Sequence, residues 1–425
     1  MLTLPSGHQP RYSDFRISGT SDETLREGGE RAPFGADNKR KLRLVEALTT
    51  AGIRDIDVGS GLSEAAFVRR ILDAKLLFNR IPEDAQFSFN LTLKTWEPLV
   101  ESLAETLPPE YLADIYVSVG MIEIDSDKKL FERVVDRLRD IGITKFRSSL
   151  LNAFAGTVDE GPYEHLMRQI ERCRRQGISL IRINDSVGTL LPHSTAVLAA
   201  NLVHDNPDFT FYLHGHNDSG LGTANSLVSI CHGFQMIEGG VAGVGNRAGL
   251  PELESLSKIF DENNITLESG PLDTAKLIDA AQLAEDTFLA SPDPYRAVSG
   301  FLVRDENAGI VNVPDYLGVS RPVNYFLNQI GLFPGYISQI LSETGLPREY
   351  LDDPEFIDGV YSRMSERMEV LYREKRAEFT RLNSRIKEFY ADIIRLDEVE
   401  LTALELMQER DSTAPGIFAD ARKTA

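Results

Sequence analysis

A chain of 425 residues with a formal net charge of −20 is long enough for a full barrel core and a second unit beside it. The acid excess leaves no basic face to neutralise phosphates, which argues against a nucleic-acid partner. No apolar run approaches the ~18 residues of a membrane span, and the N-terminus, MLTLPSGHQPRYSDF, lacks the layout of a secretion signal.

Residues 1–20 are polar and aperiodic and read as a loose leader. From about residue 40 a repeated grammar begins, with NKRKLRLVEALTTAGI leading into IRDIDVGS. It returns as KLFERVVDRLRDIGI then TKFRSSL, as YEHLMRQIERCRRQGI then SLIRINDSVG, and as HSTAVLAANLVHDNPDF then TFYLHGHND. A last round joins NSLVSICHGFQMIEGG to VAGVGN. Each helical stretch has apolar residues three and four apart and ends near a glycine. Each strand is short and apolar enough to be covered on both faces. Alternation sustained over 21–285 predicts a (β/α)8 barrel. Residues 286–345, rich in Pro, Gly and Asn, read as a linker or subdomain. Residues 346–425 read as a charged, heptad-like helical appendage, whose apolar stripe suits packing or a dimer face. Cys173 and Cys231 fall in helical segments without zinc-like spacing, so reduced thiols in a cytoplasmic protein are expected.

Two motifs carry candidate chemistry at the C-terminal ends of strands, where barrel chemistry sits. In LHGHND, His214 and His216 are two apart, and strand alternation puts both on one face. Two imidazoles with one carboxylate make a mixed N/O site for a divalent ion. In TLREGGERAP, Arg26 and Glu27 precede Gly28 and Gly29, which suit a tight turn at the end of the first strand. An arginine beside a ligand carboxylate suits a carbonyl oxygen gaining charge.

TLREGGERAP, IRDIDVGS, RINDSVGTLLP, LHGHNDSGLGTAN and VAGVGNRAG, in this order, resemble the metal-dependent lyase and synthase superfamily. Isopropylmalate and homocitrate synthases and 3-hydroxy-3-methylglutaryl-CoA lyase belong to it, and the variant with TLREG looks like homocitrate synthase. The resemblance covers roughly residues 15–280. It implies that Glu27, His214 and His216 hold a divalent ion (Zn, Mn or Mg) and that Arg26 polarises a 2-oxo group. It places Asp57 in a supporting catalytic position where the family keeps glutamate. Glu30, Arg147, Ser149 and Ser186 fall where the family contacts the 2-oxo acid, and Arg147 with small hydroxyls points to a second substrate carboxylate.

The departures concern the acyl-CoA half. The synthases' Glu-Asp pair is Leu151-Asn152 here, and their C-terminal histidines fall at Glu306 and Val311 in VRDENAGIVN. Leu250 stands where the family often keeps an asparagine, which homocitrate synthases also lack. Glu306 is the expected replacement base, provided burial raises its pKa. The leading expectation is therefore a carbon–carbon bond-forming transferase joining an acyl-CoA to a 2-oxo acid, working as a homodimer through the C-terminal region. A metal-dependent lyase or aldolase and a non-catalytic 2-oxo acid-binding paralogue are the alternatives. The chain ends without a leucine-type feedback domain, so no such regulation is expected.

Overall fold

The computed structural model describes residues 1–62, 64–92, 95–120, 129–151, 154–309 and 323–413. The chain divides into two compact units, Met1–Val303 and Arg304–Ala425.

In the first unit eight parallel strands form a (β/α)8 barrel. They are β1 (Gly19–Asp22), β2 (Asp55–Gly59), β3 (Gln86–Thr92), β4 (Tyr116–Gly120), β5 (Lys145–Leu151), β6 (Leu180–Asp185), β7 (Thr210–Gly215) and β8 (Met236–Gly239). The ladder runs β8-β1-β2-β3-β4-β5-β6-β7. At the seam between β7 and β8, Gln235 N donates to Phe211 O at 3.1 Å and Gln235 Oε1 accepts from Phe211 N at 2.9 Å. The helices are α1 (Thr24–Arg31) and α2 (Asn38–Thr50) after β1, α3 (Glu64–Leu72), α4 (Trp96–Thr106), α5 (Leu130–Asp140), α6 (Glu160–Arg175), α7 (Pro192–Asp205), α8 (Gly222–Cys231), α9 (Leu253–Glu262) and α10 (Thr274–Phe288). Their starts follow ordinary capping chemistry. Asp37 accepts from Lys39 N and Arg40 N, Asp273 accepts from Lys276 N, and Pro192 occupies the first turn of α7.

The strands are not apolar on both faces. Ile56, Val58, Phe87, Phe89, Val117, Val119, Ile181, Ile183, Phe211, Leu213 and Ile237 are all buried in the apolar core. Alternate positions on the same strands are Asp55, Asp57, Ser88, Ser118, Arg147, Arg182, Asn184, His214 and Glu238, also buried. Period-two alternation sends the first set to the helices and the second to the lumen. The lumen is polar, and this is what makes the barrel a scaffold for chemistry.

The residues read as a leader are partly tied down. Leu2 N donates to Val158 O at 2.7 Å, and Arg16–Ile17 pairs in parallel with Thr266–Leu267. The second unit holds a short parallel ladder of Asp305–Asn307 with Asn324–Phe326. It continues through α11 (Pro334–Ser342), α12 (Pro354–Phe389) and α13 (Leu396–Thr413). Leu332, Ile337 and Ile357 form its small buried cluster, with Met364 and Met368 against it. Among the described residues no helix is long and apolar enough to cross a membrane.

Candidate functional site

The site is built where β1 hands over to α1. Asp22, the last residue of β1, accepts from Thr24 N at 3.1 Å and Thr24 Oγ1 at 2.6 Å, which fixes the first turn of the helix. Arg26 and Glu27 therefore lie in the opening turn of α1 rather than at a strand end. Gly28 and Gly29 are helical, so their expected role in a tight turn does not apply. A Cβ at Gly28 would stand 2.5 Å from the Phe288 ring, so this glycine lets α1 close onto α10.

Glu27, His214 and His216 are each 5% exposed or less and meet at one point. His214 Nε2 and His216 Nε2 are 3.2 Å apart. Glu27 Oε1 lies 3.5 Å from the first and 3.9 Å from the second. Ligands at about 2.1 Å from a divalent ion stand roughly 3.0–3.4 Å from one another, so the three donors fit such an ion with small adjustments. Asn246 N donates to Glu27 Oε2 at 2.8 Å, leaving Oε1 for the point of convergence. His214 Nδ1 is bound by Glu238, which fixes the ring and turns Nε2 toward the other donors.

The electrostatics follow from burial. Burial alone would raise the Glu27 carboxyl, yet the His214 hydrogen bond and the Arg26 charge hold it well below the usual carboxylate range. Burial would lower His214, but the charge of Glu238 and its hydrogen bond lift it to about 9. His216 is pushed down to about 4 by burial and by His214.

Beneath the three donors lies a charged network that sequence reasoning did not anticipate. The Arg182 guanidinium binds Glu23, reaches Asp57 Oδ2 at 3.0 Å and pairs with Glu238 Oε2 at 3.0 Å through Nε. Glu23 also binds Arg26, whose other nitrogens reach Glu27 Oε1 at 2.7 Å and Glu30 Oε1 at 3.0 Å. Asn90 Nδ2 donates to Asp57 Oδ2 at 2.9 Å. Burial would raise Glu23, but Arg182 and Arg26 hold it down to about 2. Burial and the Glu23 charge push Asp57 up, and burial lifts Asp22 to about 8.

The remaining expected residues scatter. Glu30 is half exposed and accepts from Asn246 Nδ2 at 2.7 Å, tying α1 to the loop after β8. Ser149 accepts from Asn184 Nδ2 at 2.7 Å inside the lumen. Ser186 is half-buried just past β6, and its carbonyl accepts from Arg247. Arg147 stands apart from the expected substrate contact. It is fully buried, donates to Asp55 Oδ2 at 2.8 Å and to Tyr212 Oη at 3.4 Å, and stacks on Tyr116. Its side chain lies a layer below Ser149, toward the start of the strands, and its charge is already paired. Leu250 is buried, and Leu151 is exposed at the end of β5. Asn152 and Val311 lie outside the described residues, and Glu306 belongs to the second unit, in register with Tyr325. Glu23, Arg182 and Glu238 were legible only as inward positions of alternating strands or as a neighbour of the first motif.

The barrel agrees with what this chain resembles. A profile named HMGL-like matches residues 112–284. A 2-isopropylmalate synthase of Shewanella halifaxensis is 25% identical over 260 residues, 59% of this chain and 48% of that protein. One from Aquifex aeolicus is 25% identical over 243 residues, 55% and 45% of the two chains. The chain thus spans about half the length of these curated relatives. Among solved structures, hydroxymethylglutaryl-CoA lyase from Pseudomonas aeruginosa aligns with a TM-score of 0.53 at 20% identity, covering 68% of this chain and 99% of that one. An HMG-CoA lyase from Acinetobacter baumannii, solved with coenzyme A and 3-methylmalate, gives 0.51 at 20% identity over 67% and 95%. At these identities the structures speak for the fold alone. Residues 112–284 are thus similar to the HMGL-like family, and the chain shares its barrel fold with the two lyases.

Proposed function

We propose that this protein is a metal-dependent transferase that forms a carbon–carbon bond between an acyl-CoA and a 2-oxo acid. The observation that carries this reading is the convergence of Glu27 Oε1, His214 Nε2 and His216 Nε2 within 4.8 Å of one another. The curated relatives named 2-isopropylmalate synthase support the direction of the reaction.

Glu27, His214 and His216 would hold a divalent ion, Zn, Mn or Mg, that supplies Lewis acidity to a 2-oxo acid. Arg26, one residue from Glu27 and 3.4 Å from His214 Nε2, offsets charge developing on the 2-oxo oxygen. Glu238 keeps His214 oriented. The Ser186 hydroxyl at the strand end is offered to the substrate carboxylate, and Glu30 holds Arg26 and the loop of Asn246 at the mouth. Asp57 supports the centre from below, next to Arg182. In the reaction the carbon next to the thioester loses a proton and bonds to the 2-oxo carbon. The 2-oxo oxygen becomes a hydroxyl, and water then cleaves the thioester to release the CoA thiol. Glu306 is proposed as the base on the alignment of VRDENAGIVN alone. Arg147 has no part in this scheme, because Asp55 already occupies its guanidinium.

A homodimer through the C-terminal region belongs to the same proposal. The 36-residue α12 has a single buried side chain, Ile357, and exposes Leu371, Phe379, Leu382 and Ile386 at helical spacing. A cytoplasmic setting suits two free cysteines, Cys173 and Cys231. The lyase direction remains the second reading, favoured by the exposed Leu151 where the synthases carry an acid.

The test is release of free thiol from acetyl-CoA with a panel of 2-oxo acids, with and without added Mn2+ or Zn2+. Metal-dependent release with one acid is the expected result. No release with any acid despite bound metal would sink the acetyl-CoA reading. Cleavage of a hydroxyacyl-CoA under the same conditions would move the assignment to a lyase.

A further inference from the structure

Among the polar side chains of the barrel lumen that the reaction above does not use, Asn184 stands beside the convergent donors. Asn184 is 8% exposed and shares the inward face of β6 with Arg182, two residues earlier. Its register partner on β7 is His214, so it stands on the strand next to the convergent donors. Its Nδ2 donates to Ser149 Oγ at 2.7 Å, while its Oδ1 is buried without a partner. Turning the amide over would exchange the two ends but still leave one unpaired. A buried amide end with no partner is costly and marks a place where another polar group belongs. On the other side of Ser149 the register partner is Gly120, so β4 places no side chain beside the pair.

The charges around it decide what kind of group this is. Arg147 is closed by Asp55, Arg182 is held by Glu23, Asp57 and Glu238, and Arg26 by Glu23, Glu27 and Glu30. Each of these arginines already holds a carboxylate, although Arg147 Nε and Arg182 Nε have no hydrogen-bond acceptor, and the unpartnered group on the strand beside His214 is a neutral amide with a hydroxyl next to it. A second substrate carboxylate would enter a lumen rich in acid with no unpaired arginine among these to meet it.

We propose that Asn184, together with Ser149, determines substrate specificity by reading an uncharged hydrogen-bonding group, a hydroxyl, at the remote end of the 2-oxo acid. This rests on the 2-oxo acid reading proposed above. It excludes both an alkyl tail, which would leave the amide unpaired, and a carboxylate tail, which would add an unpaired charge.

Two acids of matched length, 4-hydroxy-2-oxobutanoate and 2-oxopentanoate, and the one-atom-longer 2-oxoglutarate separate the cases. Their binding to the full chain loaded with Mn2+ is measured by calorimetry, for the wild type, Asn184→Ala and Asn184→Asp. The wild type is expected to prefer the hydroxylated acid over both others by at least about ten-fold, because a site built to bond a hydroxyl rejects analogues that lack it. Asn184→Ala should erase that preference by weakening the hydroxylated acid. Asn184→Asp, which keeps an acceptor and the side-chain size, should retain it and decides the matter if the alanine variant does not fold. Tightest binding of 2-oxopentanoate or 2-oxoglutarate by the wild type would overturn the proposal, as would an unmoved preference in Asn184→Ala. Failure of all three acids to bind would remove the 2-oxo acid reading itself and this proposal with it.

Discussion

The lumen of this barrel has two charged layers that are built on opposite principles. In the lower one, Arg147 meets one carboxylate, Asp55, and rests on Tyr116 and Tyr212. Charge is matched one to one and the arginine is sealed. In the upper one, Glu23, Glu27, Asp57 and Glu238 share two arginines, Arg26 and Arg182, and the two imidazoles of His214 and His216. Acid outnumbers fixed cation there. A matched buried pair ties strands together and offers nothing to a ligand, whereas an acid-rich cluster with convergent donors is suited to an added cation. The difference separates structure from chemistry within a single cavity.

The largest effect should come from unmatching the lower layer. Arg147→Met strands Asp55 in the interior, and breaking such a pair costs about 3–5 kcal/mol. Denaturant unfolding should show that loss, while metal affinity stays at the wild-type value. Replacing both partners, Arg147→Met with Asp55→Leu, should recover most of the stability. A variant of full stability that binds the 2-oxo acid poorly would instead return Arg147 to the substrate and break the comparison.

A buried acid without a cation shows what the upper layer avoids. Glu254 is fully buried against Ala242 N and the Ser299 hydroxyl, and burial raises its carboxyl to about 7. Glu23, equally buried, is held down to about 2 by its arginines. A carboxyl raised in the folded state binds its proton more tightly there than in the unfolded chain. Its contribution is therefore favourable below about pH 4.5 and is lost progressively as pH rises to about 7. Glu254→Gln mimics the protonated acid, so the variant should gain on the wild type by up to about 3 kcal/mol between pH 4.5 and 7.5. Unfolding curves of the two proteins across that range measure it, and a difference independent of pH would contradict the assignment.

Smaller effects sharpen the upper layer. Glu238→Gln leaves His214 in place but weakens its orientation, and changes of this kind reduce metal affinity about 10–100-fold. A competition titration with a chelator reads this. Gly28→Ala pushes a methyl into the Phe288 ring. Such overpacking costs about 1–3 kcal/mol, visible as a lower Tm, with a weaker effect on metal binding through the tilt of α1.

The barrel was legible in the chain because its helices and strands alternate with clear periods. IRDIDVGS, LIRIND and TFYLHGH state the alternation of apolar and polar residues plainly, but reading them as apolar on both faces hid the polar lumen. His214 and His216 were visible because their spacing puts both on one face at the end of a strand, and Arg26 and Glu27 because they are adjacent in one motif, although that motif opens a helix. The depth of Arg147 was not visible, since KFRSSLL gives its face but not whether a carboxylate from β2 already holds it. Arg182 and Glu238 were hidden for the same reason, because their partners come from strands far away in sequence. Gly28 was misread because a glycine pair suits a turn and a close helix contact equally well, and only the position of Phe288 decides between them.

The most direct test of the upper layer is a metal titration followed by calorimetry, with Mn2+ and Zn2+ added to the chelator-stripped wild type and to Glu27→Ala and His216→Ala. The account predicts one equivalent bound by the wild type and a loss of at least about a hundred-fold in affinity in either variant, as removal of one of three protein ligands requires. Wild-type protein that binds neither ion, or variants that bind as tightly as the wild type, would contradict it.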